Sequence, residues 1–240
     1  MLKTICITAA SALSLLTLSM PAYAQRVQPM SYELGPSGSK SSTSLRVENT
    51  SKTDMTLELL ARKISVDDKG KETLSPADDD FLIFPPQLIL KAGKTQAIRV
   101  KYIGEPTIEQ SAPYRISVKQ IPIDLSGSGK TGVGMVVNFN TLAHVSPPSA
   151  KIDLHVTKIT GNTAGTWDIS IDNRGKKMGR LSQTVWKLKD GSQSKMLSVK
   201  DVSDMTDKNL VMPGQTLNLT IPAIPGFSAS TTTVEISAKS

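Results

Sequence analysis

The sequence predicts an all-β protein built from two β-sandwich domains. Apolar and polar residues alternate in short runs along most of the 240 residues. Alternation of period two belongs to strands with one buried face. Turn-forming clusters divide these runs at intervals of about 8 to 12 residues, the spacing of a sandwich. No run shows a sustained 3.6-residue apolar period with caps, so long helices are not expected.

The first 24 residues are set apart. Lys3 precedes an apolar run from Ile5 to Leu18, and Pro21-Ala22-Tyr23-Ala24 follows. A basic start, a short apolar core and an Ala-x-Ala site describe a secretory signal peptide, cleaved after Ala24. The run is shorter than the roughly 20 residues a membrane span needs, so a soluble exported product is expected, without stable membrane insertion.

Strands then follow one another. Ser44 to Asn49 alternates and ends at an Asn-Thr-Ser-Lys turn; Met55 to Val66 alternates and ends at Asp67-Asp68-Lys69-Gly70. Gln87 to Leu90 and Ala97 to Tyr102 flank the turn Lys91-Ala92-Gly93-Lys94. After a Gly/Ser/Lys loop, Leu125 to Thr131, apolar residues occupy alternate positions at Val133, Met135, Val137 and Phe139. Ser146-Pro147-Pro148 is linker chemistry, because proline cannot donate to a sheet ladder. The expected division is 1–24 signal peptide, 25–146 first domain and 147–240 second domain. The second contains candidate strands at 151–159, 166–171, 184–188, 215–221 and 232–238. Its turn Met212-Pro213-Gly214-Gln215 echoes the one at Lys91 to Gln96.

Composition removes several kinds of chemistry. The only cysteine, Cys6, lies in the leader, so the exported chain folds without disulfides or thiol chemistry. The formal charge of +7 is scattered among acidic residues, and aromatic residues are 4%. No nucleic-acid module or base-stacking platform is expected. Gly127 to Gly132 resembles phosphate loops only in composition, since β-patterned sequence follows where those loops need a helix. His144 and His155 stand eleven positions apart without clustered carboxylates, and Asp78-Asp79-Asp80 lacks the alternating spacing that wraps calcium. No metal, cofactor or catalytic constellation is expected. Trp167 and Trp186 lie inside strand patterns and read as core.

One ordered series of residues resembles a known family. Phe84-Pro85-Pro86, Ala92-Gly93-Lys94-Thr95-Gln96, Ile98-Arg99-Val100, Tyr114-Arg115-Ile116 and Ile121-Pro122 are similar to the landmarks of the periplasmic chaperones of chaperone-usher pilus assembly. The resemblance implies two immunoglobulin-like domains in an L or boomerang, with pilin subunits and an outer-membrane usher as partners. The first domain would lend a donor strand to a pilin that lacks its own last strand. Carried onto this chain, the donors are Val133, Met135, Val137 and Phe139; the alternative is that this face fills the chain's own core. An exposed donor strand also allows self-association.

The chain departs from the family at the anchor for the pilin's terminal carboxylate. Met30-Ser31-Tyr32-Glu33-Leu34 holds no arginine, and Leu142 stands where a lysine is usual. Aligned on the family, Ser111 and Ser146 stand where the partners of its buried arginine would be, so the resemblance makes Arg99, with Lys101 on the same strand face, the candidate carboxylate anchor; the alternative is that both are ordinary surface charges. These departures suggest an archaic or alternative branch. The rival reading is an exported structural or adhesive fibre subunit, but Gln25 to Met30 is a short, proline-interrupted extension. A sugar-acting enzyme is a third.

Overall fold

The computed structural model describes residues 25–121 and 137–238. Residues 26–121 and 138–145 build two sheets around one core. The strands are β1 (Arg26–Gln28), β2 (Ser31–Leu34), β3 (Ser42–Glu48), β4 (Met55–Val66), β5 (Glu72–Pro76), β6 (Phe81–Phe84), β7 (Gln87–Leu90), β8 (Thr95–Tyr102), β9 (Ala112–Ile121) and β10 (Asn138–Val145). One sheet runs β1-β3-β8-β6; the other runs β2-β10-β9-β4-β5, with β7 also paired to β4. Between them lie Leu45, Leu57, Ile98, Val100, Ile116 and Val145. The first strand is thus divided: β1 serves one sheet and β2 the other, with Pro29 between them.

Alternation is kept where a strand faces this core. On β8, Ile98, Val100 and Tyr102 point inward, which forces Arg99 and Lys101 outward. β4 buries Met55, Leu57, Leu59 and Ala61 in the same way. At its far end burial switches to the opposite face, at Ile64 and Val66, while Lys63 and Ser65 are exposed. That exception marks where the two halves of the chain meet.

Residues 154–238 form β11 (Leu154–Gly161), β12 (Thr166–Asn173), β13 (Gly179–Arg180), β14 (Thr184–Asp190), β15 (Gln193–Leu197), helix α1 (Val199–Met205), β16 (Leu210–Val211), β17 (Thr216–Pro222) and β18 (Thr233–Ala238). The main sheet runs β15-β14-β18-β11-β12-β17, and β13 pairs with β16. Trp167 and Trp186 are buried in this second core, as the pattern predicts. Helix α1 starts on a reciprocal cap, with Ser198 and Asp201 each bonding the other's backbone N–H.

The echo between the two turns has a structural basis. Asn49 follows β3 and is fully buried; its amide donates to the carbonyls of Thr53 and Leu90, and its oxygen accepts from Ser51. Asn173 ends β12 and does the same, donating to Lys177 and Val211 and accepting from Gly175. Each asparagine N–H also bonds a carbonyl of the echoing turn, at Lys94 and Gln215. Gly93 and Gly214 supply the positive φ of these turns, 68° and 69°.

Candidate partner-binding edge and interdomain joint

β10 is paired along its full length with β9, but its other side is only partly covered. β2 lies parallel to it at Leu142 to Val145, and the Leu142 N–H donates to the Met30 carbonyl at 2.8 Å. From Asn138 to Thr141 no strand pairs with that side among the described residues. An open edge offers backbone donors and acceptors to an added strand. Phe139 packs against the first core, and Thr141 is fixed to the Ile116 carbonyl at 3.1 Å. Tyr32 closes the corner, its hydroxyl 3.3 Å from Thr141 Oγ1, and burial pushes the phenol pKa up to about 12 against that hydrogen bond.

The outer face of this sheet meets the second domain. Ser31, Leu142, Arg115 and Arg62 are register neighbours across β2, β10, β9 and β4, and cross-strand neighbours share a face. Leu142 joins Ile64, Val66, Met178 and Leu210 in one apolar cluster. Ser111 ties the joint with polar bonds: its Oγ accepts from the Met178 N–H at 2.6 Å and its N–H donates to the Lys176 carbonyl at 2.8 Å.

Charges sit beside this cluster. Lys177 Nζ lies 2.7 Å from a Glu33 carboxylate oxygen, which His144 approaches at 3.7 Å. Burial holds the His144 pKa below the usual histidine value; Glu33 opposes this, and Lys177 and Arg180 reinforce it. Arg180 Nη1 donates to Ser31 Oγ at 2.7 Å, while its Nε is buried without a hydrogen-bond partner. Burial and then the nearby Arg115 charge lower the Arg180 pKa. One Nη of Arg115 donates to both Glu72 oxygens, at 2.8 and 2.7 Å.

The predicted site residues fall in three places. Val133 and Met135 lie outside the described residues. Val137 and Phe139 are half-buried at the start of the open edge, and Phe139 shares the first core. Arg99 and Lys101 are not brought to β10. They project from the outer face of the opposite sheet, paired across from Phe84 and Leu82, because β8 must point its apolar residues inward. The candidate carboxylate anchor, Arg99 with Lys101, thus lies on the sheet opposite β10.

Leu142 and Ser111, read from the sequence only as departures, are joint residues. Their signal was available: an apolar residue out of phase on β10, and the same at Ile64 and Val66 on β4. Asp78 and Asp80 brace the first domain. Asp78 accepts from the Ala61 N–H at 3.1 Å and Asp80 from the Tyr114 hydroxyl at 3.0 Å.

The first domain also matches a known family. A family model described as "Pili and flagellar-assembly chaperone, PapD N-terminal domain" covers residues 32–145. Residues 32–145 are thus similar to the N-terminal domain of the pilus-assembly chaperones. Over 113 residues the chain is 29% identical to the probable fimbrial chaperone EcpE of Escherichia coli O127:H6, an alignment covering 43% of this chain and 48% of that protein. The chain therefore spans about half the length of the curated relatives it matches. The crystal structure of the class 5 fimbriae chaperone CfaA matches with a TM-score of 0.58 at 16% identity, over 90% of this chain and 100% of that one. The CsuC–CsuE chaperone–tip adhesion subunit complex of Acinetobacter baumannii gives 0.57 at 17% identity, over 89% and 97%. The fold is the two-domain, all-β, immunoglobulin-like fold of these structures. Fimbrial chaperones are periplasmic, and no helix among the described residues is long and apolar enough to cross a membrane.

Proposed function

We propose that this protein is a periplasmic chaperone that binds, folds and caps pilin subunits by donor-strand complementation and passes them to an outer-membrane usher. One observation carries the reading: the open edge of β10 from Asn138 to Thr141, next to the short stretch held by β2. A subunit missing a strand can pair its backbone with that edge while alternate side chains enter its groove. The alternation at Val133, Met135, Val137 and Phe139 supplies those side chains, each worth roughly 1.5–3 kcal/mol when fully buried.

The rest of the reading follows from this role. Residues 1–24 are a leader removed after Ala24, 25–146 form the chaperone domain, and 147–240 form the second domain. Binding and release are the whole activity, with no enzymatic step. The test is co-expression with pilins encoded beside the chain, followed by co-purification. Wild type should carry a pilin with it and Val137→Lys should lose it; equal capture by both would refute donor-strand binding.

A further inference from the structure

The two domains repeat one arrangement. β3 and β12 both lead to a buried asparagine, and β3 pairs with β8 as β12 pairs with β17. β1 flanks β3 as β11 flanks β12, β5 flanks β4 as β15 flanks β14, and β4 pairs with β9 as β14 pairs with β18. β10 has no counterpart in the second domain among the described residues. It runs along the far side of β9 from Asn138 to Val145, whereas the same side of β18 meets β11 at one position only, His155 opposite Glu235.

The difference shows in the packing. Ile116 and Val118, inward residues of β9, are 0% and 1% exposed, while Val234 and Ile236 on β18 are only half-buried. Val156 and Ile159 on β11 are half-buried too. A cavity of about 350 Å3 opens here, with Ile152, Leu154 and Val156 on one wall and Val234, Ile236 and Ala238 on the other. An open strand edge beside half-buried apolar side chains suits an extended chain with alternating apolar residues, antiparallel to β18 as β10 is to β9.

We infer that this slot in the second domain accepts an extended, alternately apolar segment of the same subunit that is bound on β10. The inference rests on the donor-strand reading proposed above. Position decides the occupant. A second cavity shares Ile152, Thr184 and Ala238 with the slot and reaches Arg180, whose Nη1 donates to Ser31 Oγ at 2.7 Å. Ser31 begins the stretch of β2 that closes the β10 edge, so the slot is continuous with that edge. A subunit held on β10 therefore has its own chain at the mouth of the slot.

The rim sets the chemistry of recognition. His155 is paired with Asp153 at 2.8 Å and Glu235 with Lys189 at 2.9 Å, so these charges need no partner from the segment. Backbone hydrogen bonds and apolar side chains carry the contact. One subunit is then covered twice: the first domain fills its groove, and the second shields a strand that would otherwise pair with open edges elsewhere.

The test compares backbone amide exchange, read by mass spectrometry, in the full chain alone and in the complex that co-purifies with it. Exchange at Thr233 to Ala238 and Ile152 to Val156 should slow at least about 10-fold in the complex, as strand pairing implies. Ile236→Lys should still capture the subunit through β10, lose that protection and release the subunit about 10-fold faster, the change expected for one fewer buried apolar side chain. Ile152→Lys, at a residue already 38% exposed, should weaken the same protection without disturbing the fold, and melting curves identify any variant that fails to fold. Benzoyl-phenylalanine in place of Ile152 should crosslink to the subunit under ultraviolet light. Unchanged exchange at β18 in the wild-type complex, or a crosslink only to a second copy of the chain, overturns the inference while the edge-binding reading stands. Failure of wild type to co-purify with any subunit overturns both.

Discussion

Leu142 tests the joint most directly. Its side chain is 5% exposed and lies among Ile64, Val66, Met178 and Leu210, away from the first core. Replacement by alanine removes about three buried carbons at about 0.8 kcal/mol each, so roughly 2.4 kcal/mol of transfer free energy. A residual cavity raises such losses to about 2–5 kcal/mol, and a site between two domains can partly close on the gap, so we expect about 2.5–3.5 kcal/mol. The assay is urea unfolding followed by two signals. Both tryptophans, Trp167 and Trp186, lie in the second core, so their fluorescence reports that domain, while far-ultraviolet circular dichroism reports both. In Leu142→Ala the fluorescence transition should separate from the circular dichroism transition, because the packing that couples the domains is reduced. A loss below about 1 kcal/mol with transitions as coincident as in wild type would refute the reasoning, since it lies far under the range for a buried leucine. Leu142→Lys should be worse, placing an ammonium in the apolar cluster beside Arg115.

Three further predictions follow from other parts of the molecule. Phe139→Lys should lower stability as well as pilin capture, because Phe139 packs against the first core, whereas Val137→Lys should act mainly on capture; thermal melts and co-purification separate the two. Since the folded-state pKa of His144 is held below its usual 6.5, its contribution is fully present above that value and is lost as pH falls toward the depressed one. A melting temperature that drops below about pH 6.5 in wild type and drops less in His144→Gln checks this; equal slopes would refute it. Asn49→Asp and Asn173→Asp should each destabilise their own domain by about 2–4 kcal/mol, because a carboxylate cannot donate to the two carbonyls the amide now serves. Retained stability in either variant at neutral pH would show that the amides are not needed.

The strands around each core were legible because one face of each is buried. Met55 to Val66 reads directly as β4, and Gln87 to Leu90 as β7. β1 and β2 were not read, since three- and four-residue strands on either side of Pro29 are too short to show a period. β15 hides because four of its five residues are exposed. Helix α1 has only seven residues, though Ser198 and Asp201 carry its cap signal. The candidate site was legible in part for a different reason. Alternation shows that Arg99 and Lys101 face away from Ile98 and Val100, but it says nothing of which sheet β8 joins. Arg180 was beyond reach of local pattern, because its contact with Ser31 spans 149 positions.

The two asparagine corners bear on what acid does to this protein. Asn49 and Asn173 hold their turns through neutral amides and backbone groups, so the corners keep their hydrogen bonds across the range in which histidine titrates. The joint instead places His144 beside Glu33, Lys177 and Arg180. Mild acidification should therefore act on the hinge while each sandwich keeps its outline, leaving two intact bodies whose relative angle is the soft coordinate.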